Sequence, residues 1–230
     1  MSQEDRSEAL IDVLDELEQS DIGFVLIGGY AISQFETRFS TDLDLVIAPE
    51  DYDDIVAFLD KRGFERTAEL EVPPDETIYN RDIDLFERTE GLPHSVGVDV
   101  LVNGLGCRQT EAEWSFEYLR EHSTTTTISG GTRSTTARAA DGEILVAAKL
   151  HSDRKADLAD VLAAIPGIDL DDVEAHLHRG DTDALQSQLS DAHAFIEEGG
   201  LDHRFKSMFG QASADADDID ALLEFLRQQQ

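Results

Sequence analysis

The stretch from residue 24 to 48, FVLIGGYAISQFETRFSTDLDLVIA, constrains the fold more than any other part of the chain. Two short apolar runs, at 24–27 and 42–47, are bounded by the glycine pair Gly28-Gly29 and by Pro49. Runs this short, closed by turn residues, read as buried strands rather than helices. The segments around them read as helices. EALIDVLDELEQ carries Leu10, Ile11, Leu14 and Leu17 at helical spacing, and EDYDDIVAFLDKRGF carries Ile55, Phe58 and Leu59, with Gly63 as its stop signal. Strands and helices that alternate along one chain predict a mixed α/β architecture.

Further strands are expected at 64–70, 77–86 and 95–102, with Pro73-Pro74 between the first two, and TEAEWSFEYLREH is expected to be one helix. The threonine-rich STTTTISGGTRSTTARA favours strands and centres on Gly130-Gly131, so it reads as a β-hairpin rather than a linker. From Asp141 onward every segment has helical character, with Pro166-Gly167 ending the second helix and further helices over 170–179, 182–198, 201–209 and 216–228. The expected organisation is an α/β (α+β) core over residues 1–140, a mixed β-sheet flanked by helices, followed by a helical C-terminal region over 141–230 that closes the active-site cleft.

Composition limits the function classes. The chain has 230 residues and a formal net charge of -32, which disfavours bulk attraction to nucleic acid. The acidic residues are spread along the whole chain rather than gathered in one block. No stretch approaches the roughly 20 apolar residues that cross a bilayer, and MSQEDRSEAL lacks the basic and apolar regions of a secretion signal. No membrane association and a cytoplasmic location are therefore expected. A single cysteine, Cys107, excludes an internal disulfide and reads as a buried spectator thiol.

Asp-x-Asp occurs seven times, at 42/44, 51/53, 82/84, 169/171, 181/183, 215/217 and 218/220, so spacing alone identifies nothing. Five of these pairs fall at helix starts or in loops, where acids interact favourably with the positive helix end. Asp42 and Asp44 instead lie on a strand, where residues two apart point to one face about 6.5 Å from each other. Two such carboxylates repel, and a hard divalent cation, Mg²⁺ or Mn²⁺, is the usual relief. Phosphoryl transfer uses such a site to neutralise phosphate oxygens and activate a hydroxyl. A third carboxylate is wanted on a neighbouring strand. Asp99 in VGVDVLV has little structural reason to be acidic, whereas Asp84 is flanked by Arg81 and Arg88, so Asp99 is favoured and Asp84 competes. The turn at Gly28-Gly29 can bring backbone N–H groups close to a phosphate, with Arg38 and Ser40 between it and the acidic pair.

GGYAISQFETRFSTDLDLVI closely resembles the signature of the polymerase-beta nucleotidyltransferase superfamily: glycine pair, short helix, Arg-x-Ser/Thr-x-Asp-h-Asp and a hydrophobic strand. Downstream, EILVAAKLHSDRKADLADV resembles the companion motif of AbiEii-like and related small prokaryotic nucleotidyltransferases. Lys149, Arg154, Asp157 and Asp160 match it, while Ala156 stands where a basic residue is usual, with Lys155 next to it. The resemblance implies a nucleotidyltransferase fold that moves NMP from an NTP to a hydroxyl. It implies that Asp42, Asp44 and Asp99 hold Mg²⁺ or Mn²⁺, that Gly28, Gly29, Arg38 and Ser40 contact the triphosphate, that Lys149 and Asp157 are catalytic, and that Arg154 contacts nucleotide. It further implies a tRNA or protein acceptor and a role as the toxin of a toxin–antitoxin pair with a cognate antitoxin. The rival reading is a catalytically inactive nucleotidyltransferase-fold module that binds or regulates.

The charge carries its own expectation. Only Lys61, Lys149, Lys155 and Lys206 are lysines, and the composition resembles that of proteins from salt-loving microbes. The screening length falls from about 10 Å at 0.1 M salt to about 3 Å at 1 M, so self-repulsion weakens sharply in a molar-salt cytoplasm. Thermal unfolding should accordingly occur at a higher temperature in about 3 M than in about 0.1 M KCl. Equal melting temperatures in both would contradict a halophilic origin.

Overall fold

A computed structural model describes residues 3–38, 40–70, 83–89, 94–210 and 214–230. Pro73-Pro74, Arg81 and the first six residues of the strand expected over 77–86 lie outside the described residues.

The chain divides into two compact units, the first made of residues 1–106 and 114–141, the second of residues 107–113 and 142–230. In the first, helix α1 (Gln3–Glu18) precedes β1 (Phe24–Ile27), the short α2 (Gly28–Ile32), β2 (Asp42–Ile47) and α3 (Tyr52–Asp60). Then come β3 (Glu65–Leu70), β4 (Ile83–Arg88), β5 (Val96–Val102), β6 (Gly104–Cys107) and β7 (Ala112–Ser115), of which residues 107, 112 and 113 count with the second unit, α4 (Phe116–Glu121), β8 (Ser123–Gly130) and β9 (Arg133–Ala140). Seven of these strands form one mixed sheet in the order β3-β4-β5-β2-β1-β9-β8. Its central pairings are antiparallel β1–β2 and parallel β2–β5, so both apolar runs of the opening motif sit in the middle of the sheet.

The burial of β1 and β2 explains their composition. All four residues of β1 are buried, and on β2 Leu43, Leu45, Val46 and Ile47 have no exposed surface. Burying each such side chain contributes roughly 1.5–3 kcal/mol. Helix α1 lays its apolar stripe, including Leu10, Leu14 and Leu17, against β8 and β9. The threonine-rich segment forms the expected hairpin, registered from Ser123↔Ala140 to Gly130↔Arg133, with Gly131 at φ +80° in its turn.

The helix expected across residues 110–122 is corrected. Residues 112–115 form β7, with Ala112 and Trp114 buried and Glu113 and Ser115 exposed, a period of two that the aromatic-rich stretch concealed. Helix α4 begins only at Phe116, where the Ser115 side chain accepts a hydrogen bond from the Tyr118 backbone N–H and caps it. The partner strand β6 was not expected either; a Cβ on Gly104 would lie 2.5 Å from the Trp114 carbonyl oxygen, so glycine is required there.

The second unit contains α5 (Gly142–Leu150), α6 (Lys155–Ala164), α7 (Leu170–Leu177), α8 (Thr182–Glu197), α9 (Gly200–Phe209) and α10 (Ala216–Gln228). Residues 107–113 belong to it because Thr110 is held on both sides: its hydroxyl meets His151 Nδ1 at 2.7 Å and its carbonyl accepts from Asp181 N at 2.6 Å. His151 also contacts the Leu177 carbonyl through Nε2 at 2.7 Å, and burial lowers its pKa to about 4, so the ring stays neutral. No described helix is long and apolar enough to cross a membrane.

Candidate active site

The parallel register of β2 and β5 sets Asp42 beside Gly97 and Asp44 beside Asp99. Neighbouring residues in register share a face, so the three carboxylates lie together on the face opposite Leu43 and Leu45. Burial pushes the Asp99 carboxyl up from 3.8 to about 8, and the charges of Asp44 and Asp42 push it in the same direction. Among the described residues, no cation or hydrogen-bond donor pairs with Asp99. A sheet that accepts this repulsion at its centre needs a reason beyond folding.

Asp44 is positioned by the glycine turn. Its carboxylate lies directly over the Gly28 Cα, and a Cβ on Gly28 would sit 1.9 Å from Asp44 Oδ2. Gly28 also has φ +67°, a conformation that L side chains rarely adopt, so two independent constraints require glycine there. Gly29 provides room for Arg38: a Cβ there would be 3.1 Å from the guanidinium carbon and 3.0 Å from Ser40 Oγ. Ser40 Oγ in turn donates to Asp42 Oδ1 at 2.9 Å. Gly28, Gly29, Arg38 and Ser40 are thus gathered at one side of the acidic pair. Tyr30, which the sequence did not single out, is buried beneath this turn, and its hydroxyl donates to Ser7 Oγ at 3.2 Å.

The strand pleat separates the two rival carboxylates. Leu85 is the partner of Asp99, and Asp84 is the partner of Val100, so Asp84 faces the other side of the sheet. There it is buried, accepts a hydrogen bond from the Tyr52 hydroxyl and forms an ion pair with Arg66. Its acidity therefore has a structural explanation, which Asp99 lacks. On the Asp99 side a cleft of about 290 Å³ opens across β5, β4 and β3, lined by Asp42, Asp99, Leu85, Glu87, Ser95 and Thr67 among others.

Lys149, Arg154, Asp157 and Asp160 lie in the second unit. The Lys149 ammonium is buried and donates to Asp157 Oδ1 at 2.9 Å and Asp160 Oδ2 at 2.7 Å. Burial alone would lower its pKa, but the two carboxylates outweigh that and hold it above its ordinary value. Asp157 also accepts from Ser152 Oγ at 2.7 Å and from Arg154 Nε at 2.9 Å. Its burial opposes ionisation, yet Lys149 and Arg154 hold it below the usual carboxylate range. The group joins α5 to α6 and commits the lysine to two carboxylates, an arrangement that helical spacing did not reveal.

The donor set of the first unit fits a hard divalent cation, since it consists of carboxylate oxygens on a half-buried face beside a glycine turn. As arranged, no three acidic, histidine or cysteine side chains converge to ligating distance among the described residues. Asp42 is turned toward Ser40 and Asp44 toward Gly28, so side-chain rotation at these two residues would accompany ligation.

No protein-family profile and no curated protein matches the sequence. Solved structures do. JHP933 from Helicobacter pylori superposes with a TM-score of 0.52 at 15% identity, covering 99% of this chain and 91% of its own. A Helicobacter pylori protein proposed to be a nucleotidyltransferase gives 0.50 at 15% identity, with 98% and 93% covered. The protein ANT(2'')-Ia, solved in complex with adenylyl-2''-tobramycin, gives 0.53 at 16% identity, with 80% and 98% covered. At such identities the likeness establishes architecture: the chain has the nucleotidyltransferase fold, a mixed sheet flanked by helices.

The two faces of β4 and β5 separate in mutants. Asp84→Asn should cost roughly 1–3 kcal/mol of unfolding free energy, through the weakened ties to Arg66 and Tyr52, while leaving divalent-ion binding intact. Gly28→Ala should weaken ion binding by displacing Asp44. Chemical denaturation together with Mn²⁺ titration measures both, and ion binding lost in Asp84→Asn but kept in Gly28→Ala would contradict the assignment.

Proposed function

We propose that the protein is a metal-dependent nucleotidyltransferase that moves NMP from an NTP to a hydroxyl and releases pyrophosphate. The observation that carries this reading is the register that sets Asp44 beside Asp99 while the Asp44 carboxylate lies over Gly28. Acidic donors and a close-approach backbone turn are then adjacent, which is the combination that a triphosphate and its counter-ion require.

Mg²⁺ or Mn²⁺ held by Asp42, Asp44 and Asp99 would neutralise phosphate charge and make the acceptor hydroxyl more acidic. The remaining work belongs to the chain. The Arg38 guanidinium and the Ser40 hydroxyl, beside Gly29, orient the triphosphate. Asp99 stands where it can receive the proton of the attacking hydroxyl. The hydroxyl oxygen forms a bond to the α-phosphorus, the bond from that phosphorus to the bridging oxygen breaks, and pyrophosphate leaves in line with the attack. Lys149 and Asp157 act in this scheme by holding α5 and α6 together, with Arg154 also bound to Asp157.

The motif resemblance supports a tRNA or protein acceptor, and a toxin with a cognate antitoxin. The binding-module alternative draws on one observation, that no three ligating side chains converge as arranged. Incubation with Mg²⁺ or Mn²⁺ in high salt, each labelled NTP, and total tRNA or cell lysate separates the readings. Transfer should occur with the wild type and fall by at least about a hundred-fold in Asp42→Ala and Asp44→Asn. Absence of both NTP and metal binding at millimolar concentration would overturn the enzymatic reading.

A further inference from the structure

Resting on that reading, we infer that Ser40 is a positioning residue that couples nucleotide binding to metal binding: Asp42 holds the one hydroxyl proton of Ser40 until a triphosphate takes it, and Asp42 is thereby released to the ion.

The three carboxylates are not held alike. Asp44 and Asp99 stand side by side through the β2–β5 register, and the Asp44 carboxylate lies over Gly28. Asp42 is tied down by hydroxyls instead. Its Oδ1 accepts from Ser40 Oγ at 2.9 Å and from Thr41 Oγ1 at 3.2 Å. Among the described residues no three ligating side chains converge while these bonds stand. Ligation by Asp42 together with its neighbours therefore competes with the Ser40 bond.

Ser40 is placed to serve either acceptor, but not both. A serine hydroxyl has a single proton to donate. A Cβ on Gly29 would stand 3.0 Å from Ser40 Oγ and 3.1 Å from the Arg38 guanidinium carbon, so hydroxyl and guanidinium flank the same bare Cα, the place assigned above to phosphate. Ser40 is buried, and its carbonyl oxygen lies 3.5 Å from the buried Tyr30 hydroxyl. The backbone is thus enclosed, and rotation of the hydroxyl is the freedom that remains. One torsion carries the proton from Asp42 to a phosphate oxygen.

The energetics favour that order of events. An ion that arrives first must break the Ser40 bond with nothing to replace it, whereas a triphosphate exchanges one charged acceptor for another. Ion binding should therefore be weak alone and stronger beside nucleotide, and by linkage the ion strengthens nucleotide binding by the same factor. The opposing account makes the serine a support that orients Asp42 toward the ion, as hydrogen bonds behind metal ligands commonly do. The two accounts give opposite signs when the hydroxyl is removed.

The test uses the full chain in high salt, with Mn²⁺ binding read from the free-ion paramagnetic resonance signal, alone and with a saturating NTP analogue whose α,β bridge cannot be cleaved. Without nucleotide, Ser40→Ala should bind Mn²⁺ about ten-fold more tightly than the wild type, while Ser40→Thr, which keeps the donor, should match the wild type. With nucleotide the alanine variant and the wild type should bind alike, so the enhancement by nucleotide falls about ten-fold. Chelation by the analogue is common to both proteins and cancels in that ratio. Thr41→Ala removes the second, exposed tie and should tighten nucleotide-free binding about three-fold, which keeps the test open if Ser40→Ala does not fold. Nucleotide-free binding that is unchanged or weaker in Ser40→Ala, or in Thr41→Ala where that variant decides, would overturn the inference. Absence of Mn²⁺ binding by the wild type, with and without nucleotide, would instead overturn the metal-dependent reading on which it rests.

Discussion

The contact between the Asp44 carboxylate and the bare Cα of Gly28 organises the rest of the site. It locks the end of β1 to the start of β2, and it is possible only because residue 28 has no side chain and adopts φ +67°. The parallel register then brings Asp99 alongside, and a neutral core surface becomes an acidic one. The Leu43, Leu45 and Ile47 face makes this tolerable, because burial of those side chains offsets the repulsion on the opposite face. Folding and site assembly therefore pull against each other across one strand, which is the usual condition of a functional surface.

The second unit handles charge in the opposite way. Lys149, Asp157, Asp160, Ser152 and Arg154 are mutually hydrogen-bonded, and the one buried ammonium meets two carboxylates. Removing Lys149 would leave uncompensated buried acids, a larger loss than removing a surface lysine. One unit buries an ammonium between two carboxylates, whereas the register of the other sets two carboxylates, Asp44 and Asp99, side by side, a difference that residue type alone does not reveal in a chain with 50 acidic residues.

Much of this was legible in the sequence where the signal is local. The apolar runs of β1 and β2, the hairpin around Gly130-Gly131 and the C-terminal helices follow from periodicity and turn residues, and the structure places them within a few residues of expectation. The pleat sets Asp84 and Asp99 on opposite faces of the sheet, and the pairing that accounts for Asp84, with Arg66 and Tyr52, joins residues distant in sequence rather than the flanking arginines. Strands β6 and β7 were hidden because four-residue strands carry little periodic signal and the neighbouring aromatic residues mimic a helix face. The cleft was hidden for a different reason: Glu87, Thr67 and Asp99 become neighbours only through the registers of β3, β4 and β5. Gly97 was the one local clue, a glycine inside an apolar strand where a close approach is the common cause.

The central claim is that Asp42, Asp44 and Asp99 form a repulsive cluster that a divalent ion relieves. Thermal unfolding of the wild type and of Asp99→Asn, each with EDTA and with Mg²⁺, tests it most directly. With EDTA the variant is expected to melt several degrees higher than the wild type, since an unpaired carboxylate has been removed. Mg²⁺ is expected to raise the wild-type melting temperature and to have little effect on the variant. A variant that melts lower than the wild type with EDTA, together with equal Mg²⁺ responses in the two proteins, would contradict it.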